Sequence, residues 1–300
     1  MESGIIYTAV SRPGPVEVAI LGRLEPAVRV RPRLAAGVAL RSLESSPIAG
    51  RPALLFLHGR GHAASVWAAW LAAFATLTRT VAVDLPGFGH SGAAPLADGS
   101  VEAGLRFFAD PVEQIAIAEG PVVLVGHSLG ALVAIETALR GRADVRGLVL
   151  IGAMGLSPVI SPRARLYLRA GPERLSRLTS FVRRAGGSEI DRLRRELHSV
   201  RGGRPQAKEA FDRLVPLVGG AFERAARLGE IDAPTLLVWG RADDAFPLPV
   251  AMQAAARMRR AELKIIEAEH SPHLERADAC IALVRPFIES LLPPTSRTAD

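Results

Sequence analysis

The sequence predicts an α/β fold with a mostly parallel sheet, helices on both faces of the sheet, and a helical cap inserted late in the chain. Short apolar runs alternate with helical segments, which is typical of buried parallel strands joined by helices. Several of these runs end in glycine, histidine or aspartate, and ligand sites in such sheets lie at the carboxyl ends of the strands. The strand pattern stops between Ser157 and Leu228, where short basic pieces predict the cap.

Length and composition fit one large domain with an insertion. The chain has 300 residues, of which 49% are hydrophobic, and this is ample to bury a sizeable core. We expect residues 1–156 and 229–300 to form the α/β core, and residues 157–228 to form the cap.

The sequence also predicts a cytoplasmic protein without a membrane span. No apolar run approaches the roughly 20 residues needed to cross a bilayer. The N-terminus lacks a basic region followed by an apolar stretch, so no secretory signal is expected. The single cysteine, Cys280, allows no internal disulfide and fits a reducing compartment.

The predicted strands and helices follow one another in order. Two short β-type runs near the N-terminus, 27–30 and 37–40, predict edge strands joined by turns. Buried strands are predicted at 52–57, 80–83, 121–125, 145–151, 234–239 and 262–267. Helices are predicted at 66–77 and 131–140, with a helical region broken near Pro111 between them.

The pentapeptide Gly-His-Ser-Leu-Gly at 126–130 joins a predicted strand to a predicted helix. A serine on such a sharp turn projects from the top of the sheet toward the amide groups of the helix N-terminus, and flanking glycines leave room for the strained backbone. This order predicts a nucleophile elbow with Ser128 as the nucleophile. An ordinary turn with an incidental serine is the alternative at this point.

A catalytic serine needs a base within hydrogen-bond reach and a third group that orients the base. The strand at 234–239 is followed by Asp243 and Asp244, and the strand at 262–267 is followed by His270 and His273. Nucleophile, acid and histidine therefore occur in the chain order of an α/β hydrolase.

Five motifs make the chain resemble the α/β-hydrolase superfamily, particularly its small capped serine hydrolases. They are His58-Gly59, Asp84-Leu-Pro-Gly-Phe-Gly-His-Ser91, the Gly126–Gly130 elbow, Gly240-Arg-Ala-Asp243 with Pro247, and His270-Ser-Pro-His-Leu-Glu275. The resemblance covers essentially the whole chain and implies a mostly parallel α/β-hydrolase sheet with a helical cap.

The same resemblance implies a role for each site residue. Ser128 is expected to be the nucleophile, His270 the general base and later the acid, and Asp243 the acid that orients His270. Asp243 is preferred to Asp244 because family members place the acid three residues after the glycine that ends this strand. His273 is expected to be a packed histidine, because the catalytic histidine opens its motif. Glu269 departs from the usual glycine and places a carboxylate beside the base.

The oxyanion hole is expected to consist of two backbone amides. One is the amide of Leu129, which follows the nucleophile, and the other is the amide of Arg60, which follows His58-Gly59. The Arg60 side chain has two open positions, in solvent or against an anionic substrate.

Several other chemistries are excluded by residue type. Epoxide hydrolases and haloalkane dehalogenases of this superfamily carry an aspartate at the elbow, whereas this chain has Ser128. No His, Cys and carboxylate residues show metal-ligand spacing, and no dinucleotide or P-loop fingerprint occurs. We therefore expect neither a cofactor nor a metal.

Positive charge is concentrated in the predicted cap. The net charge is +7, but residues 157–228 hold 16 Lys and Arg against 7 Asp and Glu. A solvated helical face is one interpretation. The other is a surface that steers an acidic substrate or an acidic carrier protein. Nucleic acid is not expected as a partner, because this segment has almost no aromatic residues for base stacking.

Together these patterns predict a serine hydrolase that cleaves small-molecule carboxylic esters or thioesters through an acyl-enzyme. Hydrolysis of a carbon–carbon bond in a vinylogous diketone is the alternative reaction, since that branch shares the triad. A ligand receptor that keeps the triad with slow turnover is the alternative from another class. The sequence leaves the acyl chain length, the leaving group, transfer to acceptors other than water, and the oligomeric state open.

Overall fold

The computed structural model describes residues 12–25, 27–156, 189, 192–193, 196, 205–214 and 221–293. The strands are β1 Val28–Ala35, β2 Val38–Ser45, β3 Ala53–Leu57, β4 Thr80–Val83, β5 Val122–His127, β6 Val145–Ile151, β7 Thr235–Gly240 and β8 Ala261–Ile266. Across these residues they form one sheet of eight strands in the order β1-β2-β4-β3-β5-β6-β7-β8.

The sheet is mostly parallel, as the sequence predicts. Strands β3 to β8 pair in parallel, while β1 pairs antiparallel with β2 and β2 pairs antiparallel with β4. The prediction of two edge strands near the N-terminus is wrong for β2, which lies between β1 and β4 and is almost entirely buried. Of these two strands only β1 lies at the edge of the described sheet, and it carries Pro32 and several arginines, residues that discourage further strand pairing.

The described helices are α1 Pro15–Gly22, α2 Ala68–Phe74, α3 Val101–Glu119, α4 Leu129–Arg140, α5 Pro205–Leu214, α6 Ala221–Arg227, α7 Leu248–Arg257, α8 Pro272–Glu275 and α9 Ala277–Leu291. None of these helices is both long enough and apolar enough to cross a membrane. Helix α1 lies where the sequence indicated only strands and turns. Its start follows a familiar rule, because Pro15 occupies the first turn, where a missing N–H costs nothing.

Two helix predictions differ from the structure. Helix α3 runs through Pro111 without a break, because its buried face packs against α4 and α5 and this packing outweighs the lost hydrogen bond. The helix predicted at 66–77 is instead a 3₁₀ turn, Ala64–Trp67, followed by the shorter α2.

The core lies on both faces of the sheet because neighbouring strand residues point to opposite sides. Leu55 and Leu57 of β3 pack into a cluster with α3, α4, α5, α6 and α7. Leu54 and Phe56 pack into a second cluster with α1, α2 and α9. Both faces are therefore covered, which confirms the predicted fold class.

Most of the cap segment, residues 157–228, lies outside the described residues, so its boundaries stay a prediction. Its helix α5 packs closely on the core: a Cβ on Gly104 of α3 would lie 2.7 Å from the Ala210 carbonyl oxygen, and one on Gly87 would lie 2.4 Å from the Cβ of Ala207. Glycine at these two positions lets α5 approach the loop after β4 and the start of α3.

Helix α6 is held by charge instead. The buried Arg224 guanidinium bonds both carboxylate oxygens of Glu102 in α3 at 3.0 Å and the Glu136 carboxylate in α4 at 3.1 Å. Burial alone would raise the pKa of Glu136, but its hydrogen bonds from Arg224 and Arg140 outweigh burial and lower that pKa. The cation therefore fastens this end of the cap segment to two core helices.

Candidate active site

The turn at 126–130 has the geometry expected of a nucleophile elbow. Ser128 lies between β5 and α4 with φ 52° and ψ −113°, a conformation that costs energy for any residue with a side chain. A Cβ on Gly130 would lie 2.1 Å from the Leu57 carbonyl oxygen, and one on Gly126 would lie 2.5 Å from the Gly130 carbonyl oxygen. Neither glycine leaves room for a larger residue.

Backbone hydrogen bonds hold Ser128 in this strained turn. Its N–H donates to the Ile151 carbonyl at 3.0 Å, and its carbonyl accepts from the amides of Leu132 and Met154, each at 3.2 Å. Ser128 is partly exposed, whereas Leu129 next to it is fully buried. The turn therefore presents one side chain to the space above the sheet, as the sequence predicts. The chemical role of Ser128 stays a prediction.

The structure brings Asp243 and His270 together. Asp243 Oδ2 lies 2.9 Å from His270 Nδ1, and the Asp243 side chain has no exposed surface. Asp243 Oδ1 accepts from the amides of Ala245 and Phe246, both at 2.9 Å. With both oxygens engaged, the carboxylate has one orientation and can hold His270 in the tautomer whose Nε2 is open to accept a proton. Asp244, the alternative acid, is exposed.

The carboxylate of Glu275 fixes the loop around His270, a role that the sequence does not predict. Glu275 of α8 accepts from the amide of Glu269 at 2.7 Å and from the amide of Ser271 at 2.9 Å. The two amides flank His270, whose side chain is 25% exposed. Glu275 therefore clamps the loop on both sides of the imidazole. Glu269 is exposed, so water screens its charge from His270.

Histidines connect the ends of β5 and β8. His127, beside Ser128, has Nε2 3.0 Å from the His270 carbonyl oxygen, and their ring centroids are 4.9 Å apart. His273 is fully buried, with ring centroids 4.2 Å from His127 and 4.6 Å from Trp67. This confirms His273 as a packed residue. The contacts also set the loop of His270 against the residue that precedes Ser128.

The two expected oxyanion donors belong to segments near Ser128, and their role stays a prediction. Leu129 is the first residue of α4, and Arg60 follows Gly59, where a Cβ would lie 3.4 Å from the Ser128 Cβ. The Arg60 guanidinium lies 4.1 Å from the ring centroid of Phe211, a buried residue of α5, and contact of this side chain with an anionic substrate stays a prediction. The loop beside the nucleophile therefore contacts the cap segment through a cation–π interaction.

His58 ties the loops after β3 and β4 together. Its Nδ1 donates to the Gly59 carbonyl at 2.7 Å, and its Nε2 accepts from the Leu85 amide at 2.9 Å. Complete burial lowers the pKa of His58, so the ring stays neutral and can serve as both donor and acceptor.

A buried ion cluster supports the same loops from below. Asp84 accepts from the amides of Ala64 at 2.6 Å and His90 at 2.7 Å. Arg41 lies 2.8 Å from Asp84 and 2.7 Å from Glu17 of α1. Burial alone would raise the pKa of Glu17, but His90 and Arg41 outweigh burial and lower that pKa to about 2. Glu17 is therefore ionised at neutral pH and fastens α1 to the catalytic side of the sheet.

Within the described residues, no three His, Cys, Asp or Glu side chains are grouped so that they could hold a metal ion. The groups that the structure places at this site are a partly exposed serine on a strained turn, a histidine and a buried carboxylate. These are the components of acyl transfer by a nucleophilic serine.

A mostly parallel eight-stranded sheet with a strained serine turn after its fifth strand is the fold of an α/β hydrolase. The chain belongs to the alpha/beta hydrolase family, whose sequence pattern matches residues 54–283. This confirms the family that the five motifs indicated.

Curated relatives act in two different ways. The chain is 28% identical over 269 residues to 2-hydroxymuconate semialdehyde hydrolase of Pseudomonas sp. strain CF600, covering 85% of this chain and 92% of the relative. It is 30% identical over 256 residues to pimeloyl-[acyl-carrier protein] methyl ester esterase of Shewanella woodyi, covering 79% and 94%.

Solved structures show the same fold. One is 2-hydroxy-6-oxo-6-phenylhexa-2,4-dienoate hydrolase from Rhodococcus sp., with a TM-score of 0.71, 22% identity, and coverage of 87% of this chain and 99% of that one. Similarity at this level establishes the architecture.

Proposed function

We propose that this hydrolase cleaves carboxylic ester or thioester bonds through an acyl-enzyme, with Ser128 as the nucleophile, His270 as the general base and Asp243 as the acid that orients it. The observation that carries the proposal is the 2.9 Å contact between His270 Nδ1 and the completely buried Asp243 carboxylate. This contact supports an oriented imidazole on the loop that packs against the serine turn.

In the proposed reaction, Ser128 Oγ attacks the carbonyl carbon while its proton passes to His270 Nε2. The amides of Leu129 and Arg60 donate to the oxyanion of the tetrahedral intermediate. Losing one such donor typically costs about 3 kcal/mol of transition-state stabilisation. Asp243 stabilises the imidazolium, which then protonates the leaving alcohol or thiol. Water, activated by the same histidine, releases the acid from Ser128.

The described part of the cap segment does not favour an acidic carrier protein as the partner. In α5 and α6, each described basic side chain is paired: Lys208 with Asp212, Arg213 with Glu209, Arg224 with Glu102 and Glu136, and Arg227 with Glu230. Docking of an acidic carrier would therefore rest on arginines between 163 and 204, nearly all outside the described residues. A small acyl ester or thioester is the substrate class we propose first.

Carbon–carbon bond hydrolysis is the second candidate. The 2-hydroxymuconate semialdehyde hydrolase covers more of this chain than the carrier-protein esterase does, at slightly lower identity. The two reactions share the nucleophile and base, so the deciding difference is the substrate.

The test compares p-nitrophenyl butyrate and octanoate with 2-hydroxymuconate semialdehyde, using the wild type and Ser128→Ala. We expect an ester burst equal to the enzyme concentration, and a loss of about four orders of magnitude or more in the variant. Turnover of the semialdehyde with slow ester hydrolysis would select the second candidate. Equal rates for wild type and variant would contradict both.

A further inference from the structure

Five arginines face one cleft at the β1 edge of the sheet, and β1 lies four strands away from β5, the strand that leads to Ser128. Arg29, Arg31 and Arg33 alternate along β1 and therefore share one face of the strand. Arg51 precedes β3, Arg79 precedes β4, and both line the same cleft of about 730 Å³. We call this site the arginine cleft.

Among the described residues, two acids line the arginine cleft, Glu44 and Glu119, and both are paired with arginines. Glu44 bonds Arg33 at 2.6 Å and Arg79 at 2.6 Å, and Glu119 also pairs with both arginines. Burial alone would raise the pKa of Glu44, but hydrogen bonds from Arg33 and Ser42 and the nearby positive charges outweigh burial and lower that pKa. Both carboxylates therefore pair with Arg33 and Arg79 and hold these two side chains in place.

The other arginines leave positive charge available. In the part of the chain that the structure describes, no hydrogen bond or ion pair involves the guanidinium of Arg29 or Arg31. Arg51 donates to the Leu77 carbonyl, which does not neutralise its charge. The cleft is therefore cationic, because Arg29, Arg31 and Arg51 carry positive charge that no carboxylate of the described residues matches.

Protection of an edge strand accounts for only part of this arrangement. Charged side chains on β1 discourage pairing with another strand, but that purpose needs neither Arg51 nor Arg79, which come from other segments and face the same space. Convergence of guanidinium groups from three segments is what a ligand with several anionic oxygens requires, because each planar fork can bond two oxygens at once.

We propose that the arginine cleft binds a compact polyphosphate anion, a diphosphate or longer. Arg29, Arg31 and Arg51 together offer three guanidinium forks that no described carboxylate occupies, and linked phosphates supply enough anionic oxygens to bond several forks at once. The site is separate from catalysis, because β1 lies four strands from β5, which is about 19 Å across the sheet.

The test is calorimetric titration of the full chain with inorganic pyrophosphate at physiological ionic strength. We expect one bound pyrophosphate per chain, and affinity at least about tenfold weaker in Arg29→Ala/Arg31→Ala. The matched control is Arg257→Ala/Arg260→Ala, which removes the same charge from exposed arginines near β8, at the other edge of the sheet. We expect this control to change the affinity by less than about twofold.

Three results would overturn the proposal. They are no saturable binding by the wild type, equal weakening in the two double variants, and equal affinity for orthophosphate and pyrophosphate. Thermal unfolding of each variant checks that it is folded. The ester assay is independent of this titration, so failure of the arginine cleft and failure of the proposed hydrolase are distinguished.

Discussion

Arginines on the two neighbouring strands β1 and β2 have opposite surroundings. Arg41 lies on the catalytic side, 7% exposed, between the carboxylates of Glu17 and Asp84. Arg29 and Arg31 lie on the neighbouring strand, exposed and without a carboxylate among the described residues. The residue type is the same, and the two groups of arginines differ in whether carboxylates lie beside them.

This difference separates structural charge from available charge. A buried cation with matched acids holds loops in place, and removing one partner leaves an uncompensated charge. An exposed cation without an acid contributes little to stability, so its substitution tests binding with little risk to the fold. Changes on the catalytic side should therefore alter rate or stability, and changes at Arg29 and Arg31 should alter neither.

The largest effect should come from Asp243→Asn. The amide can still accept from the amides of Ala245 and Phe246, but it presents the wrong group to His270 Nδ1 and favours the wrong tautomer. We expect kcat for a p-nitrophenyl ester to fall by about 10⁴-fold, as for replacement of the acid in other Ser-His-Asp triads. Asp244→Asn is the control and should change kcat by less than about twofold. Equal losses of kcat in the two variants would contradict the assignment of Asp243 as the orienting acid.

The second-largest effect should be a loss of unfolding free energy at acidic pH, through protonation of Glu17. The pKa of Glu17 is about 2 in the folded chain against 4.5 ordinarily, so its contribution is complete above pH 4.5 and is lost as pH falls toward 2. We expect about 3 kcal/mol of unfolding free energy to depend on this group. Denaturant unfolding at several pH values should show a shallower acid loss in Glu17→Gln. The exposed Glu25→Gln should behave like the wild type. Identical curves for all three would contradict the role of the buried cluster.

A smaller effect is expected from Glu275→Gln. One amide flanking His270 keeps an acceptor and the other loses it, so the loop loosens without unfolding. We expect kcat to fall by about tenfold with KM nearly unchanged, because substrate contacts remain. Glu267→Gln, an exposed change on the segment leading to the same loop, serves as the control. A Tm loss without a change in kcat would make Glu275 purely structural.

The smallest effect should be that of Arg29→Ala/Arg31→Ala on hydrolysis. Both side chains are far from Ser128 and bond no described residue, so kcat/KM should stay within about twofold of the wild type. Steady-state ester hydrolysis measures this. A large loss of kcat/KM would mean that the arginine cleft affects catalysis, and it would contradict the separation of the two sites.

Much of the sheet could be predicted because buried parallel strands appear in the sequence as apolar runs. The limits predicted for β4 and β6 agree with the structure, and Asp243 and His270 meet as their positions after β7 and β8 imply. Local patterns suffice here, since strand ends converge at one edge of the sheet.

Features that depend on distant contacts could not be predicted. Arg60 meets Phe211 only after α5 packs on the core, and α3 survives Pro111 only because neighbouring helices cover it. The two bonds of Glu275 arise from a loop shape that residue types do not encode. The arginine cleft has the same origin, since its members come from separate segments in a chain rich in arginine throughout.

The backbone of Ser128 has a further consequence. At φ 52° a glycine would have about 1–3 kcal/mol less backbone strain than serine, but glycine carries no hydroxyl. Under the proposed mechanism, activity and stability therefore oppose each other at this residue. Ser128→Gly would make the folded protein more stable while removing the proposed nucleophile.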